Sequence, residues 1–120
     1  MMTDEINTIN GTTPDLESVA KDMLISFRTS LGVHWVQLRP AMEEQIRGVN
    51  ESILYINKLQ LEGELTEESA RELIEFQQLN IKMLMVECEG LKDLAIEAAI
   101  NAAFEKVRGA VNRLVNFELL

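Results

Sequence analysis

The chain of 120 residues contains one cysteine, one histidine and two prolines, and only 5% of it is aromatic. A single cysteine, Cys88, excludes an internal disulfide. Together with His34 it makes a Cys/His ligand set too small for a zinc site. A diiron bundle centre needs Glu-x-x-His on two helices with further inward glutamates. Here His34 is preceded at that spacing by Leu31, and no second histidine exists. Both prolines, Pro14 and Pro40, lie in the first third, and the few glycines are scattered. A multi-strand fold needs many more turn signals. With Phe27, Trp35, Tyr55, Phe76, Phe104 and Phe117 as its aromatics, the core must be mostly aliphatic, which suits interdigitating helices. Gly90 and Gly109 are isolated, so no phosphate-cradling loop is present. There is no calcium-loop pattern and no nucleophile elbow. The sequence therefore points to no catalytic residues, no cofactor and no metal.

Positive charge is also scarce, with 11 Lys and Arg against 20 Asp and Glu, a net charge of −9. This excludes generic nucleic-acid binding, which requires Lys and Arg to neutralise phosphates. It equally argues against adhesion to anionic lipid. The charge favours solubility or a basic protein partner. No stretch approaches the ~20 apolar residues of a membrane span. The most apolar region, 91–104, is interrupted by Lys92, Asp93, Glu97 and Asn101. The polar N-terminus lacks the basic start and apolar run of a secretory signal, which leaves the cytoplasm as the default compartment.

What remains is helical periodicity in a length that suits one domain. Residues 1–13 read as a flexible arm, and 14–120 as a single helical domain. Thr13 is placed to cap a first helix opened by Pro14, with Asp15 and Glu17 at the positive end of its dipole. Leu16, Val19, Ala20, Met23, Leu24, Phe27 and Leu31 follow the i, i+3, i+4, i+7 pattern and predict a helix over about 14–38. Pro40 predicts a break or sharp kink at Arg39-Pro40. Met42, Ile46, Val49, Ile53 and Ile56 predict a second helix over about 41–62, closed by Gly63 as a left-handed cap. Thr66, followed by Glu67 and Glu68, starts the next helix, and the short connection implies an antiparallel pair.

From Thr66 onward the chain lacks proline. Gly90 either ends a helix, giving a four-helix bundle, or lies inside one very long helix. Glu87 and Glu89 would sit unfavourably at a negative helix end, no polar loop follows, and an interior glycine costs only ~1 kcal/mol. These local terms favour continuity. The fold class is thus an all-α antiparallel bundle of three to four helices, three if the last helix runs on through Gly90, as these terms favour, and four if it ends there.

Two residue groups suggest interaction surfaces. Ala95, Ala98, Ala99, Ala102 and Ala103 form a small-residue stripe that lets another helix come close. With Ile96, Ile100, Val107, Val111 and Leu114 it leaves little polar outer surface, as expected of a helix surrounded by others. Continuity through Gly90 would make this face, Ala95, Ile96, Ala99, Ile100, Ala103, Val107, Val111 and Leu114, a self-association surface in a homo-oligomer. The second group is acidic: Glu64, Glu67, Glu68, Glu72 and Glu75 gather around the second turn, either as a solvated helix start or as a dock for a basic partner. Met23, Met42, Met83 and Met85 read as core residues or as an adaptable groove. Trp35 and Tyr55 read as partner anchors or as caps on one end of the bundle. Cys88, beside Leu84, Val86 and Leu91, reads as a small buried hydrophobe.

The leading expectation is a non-enzymatic protein that self-associates through its alanine-rich C-terminal helix as a scaffold or assembly component. The alternative is a monomeric acidic binding module, of the export-chaperone or inhibitor type, that captures a basic or amphipathic helix. A break at Gly90 favours the alternative.

Overall fold

The computed structural model describes residues 14–120, with side chains from Leu16 onward. The expected arm over 1–13 and the Thr13 cap lie outside the described residues. Helix α1 spans Pro14–Leu31, a 3-10 turn Gly32–His34, α2 Trp35–Leu61, α3 Glu67–Val86 and α4 Asp93–Val115. The helices run up, down, up and down, and each packs on its chain neighbour. The ring closes through α1 and α4, which form the most extensive pairing in the molecule.

The core is aliphatic, as the scarcity of aromatics requires. Phe27, Met23, Met42, Ile46, Ile53, Ile81 and Ile96 are among its fully buried side chains. On α1 the buried residues are Leu16, Val19, Met23, Phe27 and Leu31, and Ala20 and Leu24 of the predicted apolar stripe pack half-buried beside them. Ala99 and Ala103 on α4 are 0% exposed. Small side chains at one helix's contact line let a neighbouring axis approach, which is consistent with α1 and α4 being so closely paired.

Two predicted boundaries are confirmed at atomic level. At the end of α2, Glu64 N–H donates to the Leu59 carbonyl at 2.9 Å and Gly63 N–H to the Gln60 carbonyl at 3.0 Å. With Gly63 at φ +72°, this is the Schellman arrangement. At the start of α3, Thr66 Oγ1 accepts from Ser69 N–H at 3.1 Å.

Two others are corrected. The first helix does not reach 38: it ends at Leu31, where Gly32 takes φ +55° and the chain reverses through the 3-10 turn. Pro40 does not break the chain but sits in the second turn of α2. It withholds a donor from the Val36 carbonyl, yet Pro40 and Val36 both face solvent, where water can take the donor's place. The second correction is that the last helix is not continuous. α3 ends at Val86, Gly90 adopts φ +87°, and α4 begins at Asp93. A continuous helix over 66–117 would be roughly 75–80 Å long at ~1.5 Å per residue, against a longest extent of 45 Å here. The dipole cost that favoured continuity is only ~0.3–1 kcal/mol and is screened at exposed positions; Glu87 and Glu89 are both exposed. Turning the chain instead lets α4 bury Ile96, Ala99, Ala103 and Val107 within the same molecule.

After α4 the tail folds back. Asn116 takes φ 66° as the C-terminal cap, and Asn112 Oδ1 accepts from the N–H groups of Leu119 and Leu120, each at 2.9 Å. Leu119 is buried. Among the described residues no helix is long and apolar enough to cross a membrane.

Candidate interaction surface

The face expected to drive self-association is largely internal. Ile96, Ala99, Ile100, Ala103, Val107 and Val111 are buried in the core of one chain, and Leu114 packs against it half-buried. Only Ala95 of that set is exposed, alongside Ala98, Ala102 and the nearly fully exposed Leu94. The alanine stripe is thus divided, two members buried in the core and three facing solvent.

The acidic group is exposed throughout. Glu64 lies at the turn before α3, and Glu67, Glu68, Glu72 and Glu75 lie on its first turns. Glu67 pairs with Arg71 at 3.3 Å. Arg71 is further held by the Glu118 carbonyl at 2.8 Å and by the Phe117 ring, 5.8 Å away. Glu68, Glu72 and Glu75 form no ion pair among the described residues.

Beyond these acids the outer side of α3 is apolar. Phe76 is 59% exposed, Leu79 50%, Met83 60% and Val86 53%. Their steps of three, four and three keep them on one face. Ile74, Ile81 and Met85 fill the opposite face and are buried. Helix α3 therefore has two apolar sides, and among the described residues a partner for only one of them. Flanking the outer side, Leu73 is partly exposed and Tyr55 on α2 is 54% exposed. Gly48 on α2 stands against Gln77, since a Cβ added there would lie 3.3 Å from Gln77 Oε1. That antiparallel register puts Tyr55 at the level of α3's early turns.

The opposite flank is fixed by a clasp. Lys82 Nζ donates to Glu97 Oε2 at 2.7 Å and joins α3 to α4. The hydrogen bond and charge of Glu97, with a smaller effect from Asp93, raise the Lys82 pKa above its ordinary 10.5. Its ammonium is thus engaged and does not offset the acids on the outer face.

The remaining signals resolve as follows. Met23, Met42 and Met85 are core residues, whereas Met83 belongs to the outer face. Trp35 is half-buried and lines a hollow with Leu24, Ile25 and Arg39. A groove of about 700 Å³ runs between α1 and α2, lined by Leu16, Ala20, Leu24, Ile46, Asn50 and Leu54. Asn50 Nδ2 donates to the Leu16 carbonyl there at 2.9 Å. Cys88 is buried as expected, and the fold brings His34 to it, with Nδ1 3.7 Å from Sγ. No group of three or more His, Cys, Asp or Glu among the described residues is arranged to hold a metal ion.

No family model matches the chain, and neither a curated protein nor a solved structure matches it. The functional reading therefore rests on the surface itself. Its best-defined feature, the outer face of α3, was missed in the sequence because helical periodicity does not show which of two apolar sides meets the core. The signal that could have found it is the pair of interleaved series, Ile74/Ile81/Met85 and Phe76/Leu79/Met83/Val86.

Proposed function

We propose that the protein is a non-enzymatic, acidic helical-bundle module that captures a basic amphipathic helix on the outer face of α3. The observation that carries this reading is the row Phe76, Leu79, Met83 and Val86, exposed on a well-formed helix and aligned at helical spacing. Contiguous apolar surface of this kind marks an interface more often than a scattered exposed residue does. Fully burying one such side chain contributes ~1.5–3 kcal/mol, and anchors at i, i+3, i+7 are how one helix receives another. The unpaired acids at the same face supply complementarity to Lys and Arg. Burial of Ala99, Ala103 and Val107 within a single chain favours this reading over self-association through the alanine-rich helix.

Self-association retains one observation in its favour, the outward-facing Leu94, Ala95, Ala98 and Ala102 on α4. It predicts a mass in solution above the 13.6 kDa of one chain.

The binding reading is tested by titrating a fluorescent amphipathic peptide rich in leucine and lysine with the protein and following anisotropy. Capture should be saturable, weaken with salt and be lost in Leu79→Asp, a variant whose helical circular dichroism stays unchanged. Saturable capture that Leu79→Asp leaves intact would place the site elsewhere and overturn the assignment.

A further inference from the structure

We infer that the helix received by α3 is segregated along its length, with a block of apolar residues at one end of its contact face and a block of Lys or Arg at the other. The inference rests on the proposed reading of α3 as a docking face and specifies what occupies it.

The outer line of α3 changes character midway. Steps of three and four connect Glu68, Glu72 and Glu75 to Leu79, Met83 and Val86, with Phe76 beside Glu75 at the junction. The N-terminal half of the line is therefore acidic and the C-terminal half apolar. The two cations of α3 itself are committed elsewhere. Arg71 is held by Glu67, the Glu118 carbonyl and Phe117, and Lys82 by Glu97. A uniformly amphipathic helix would set apolar side chains against Glu68 and Glu72, or lysines against Leu79 and Met83. Either mismatch desolvates charge without a partner.

The same pattern excludes a second copy as occupant. A parallel pairing through this face sets Glu68, Glu72 and Glu75 against themselves. An antiparallel one over the length of α3 sets Glu68 near Val86 and Glu72 near Met83, an acid against an apolar side chain in each case. Neither supplies a free positive charge, since Lys82, the cation nearest the antiparallel contact, is held by Glu97. The occupant is a different chain, basic where this one is acidic.

The experiment compares two composition-matched helical peptides of about 20 residues, enough to cover α3 at ~1.5 Å per residue. One carries leucines in one half of its contact face and lysines in the other; the second alternates them along that face. We expect the segregated peptide to bind at least tenfold more tightly at low salt. In Glu68→Lys/Glu72→Lys that preference should disappear, with the circular dichroism of the protein unchanged. Equal binding of both peptides, lost in Leu79→Asp, would overturn segregation and leave α3 as the docking face. No binding of either peptide would overturn the docking reading itself, and the segregation with it. A wild-type dimer that Leu79→Asp dissociates would show a second copy as the occupant and overturn the inference by that route.

Discussion

Gly90 and Gly109 occupy opposite backbone situations, so the same substitution should move stability in opposite directions. Gly90 holds φ +87°, and a Cβ there would lie 3.4 Å from His34 Cε1. Gly90→Ala should cost about 1–2 kcal/mol, the penalty of forcing an L-residue into left-handed backbone. Gly109 lies in α4, is exposed, and a Cβ there would make only an ordinary contact, 3.5 Å from Arg113. Gly109→Ala should gain up to about 1 kcal/mol from helix propensity. Urea midpoints read through Trp35 fluorescence check both, and a stabilising Gly90→Ala would mean that the α3–α4 turn is not formed. Asn112 argues similarly for a role the sequence hid. Its Oδ1 accepts two tail N–H groups from residues seven and eight positions further on. Asn112→Ala should destabilise by about 1–3 kcal/mol, because both donors lose their partner. A midpoint unchanged from wild type would show that the tail is not held.

At the level of helices, what was legible was whatever is decided locally. Thr66 and Gly63 bracket the α2–α3 turn with side-chain and backbone bonds that span only a few residues, and both were readable. Thr66→Ala should therefore cost about 1 kcal/mol, the usual loss of an N-cap, with denaturation again the measure. A change near zero would show the Ser69 N–H satisfied by other means. Gly32 and Gly90 were less legible because tertiary packing decides them. A local comparison of dipole and propensity favoured a continuous last helix, while the burial of Ile96, Ala99 and Ala103 against the rest of the bundle outweighs those small terms. Pro40 was misread for a related reason: its missing donor matters little where Val36 and Pro40 face water. The interaction surface was only half visible. The acids Glu68, Glu72 and Glu75 stand out in any reading of charge, whereas Phe76 and Met83 look like core residues until the position of Ile81 and Met85 is known.

For the molecule as a whole, the question is whether the alanine-rich segment joins copies or closes one chain, and neighbouring alanines separate the two. Ala99 is fully buried in the core, whereas Ala98, one position earlier, faces solvent. If α4 only closes its own bundle, Ala99→Leu overpacks the core and should cost about 1–3 kcal/mol. Ala98→Leu should then stay within about 0.5 kcal/mol of wild type, as exposed substitutions usually do. Both variants and the wild type should run at 13.6 kDa by light scattering across a dilution series. The net charge of −9 reinforces this expectation, since like-charged copies repel most at low salt. If instead the outer alanines seat a second copy, Ala98→Leu should be the damaging change and should shift a larger wild-type mass toward that of one chain. Raising the salt would then increase association by screening the repulsion, the opposite of its effect on capture of a basic helix by α3. Salt therefore distinguishes the two modes of association by sign.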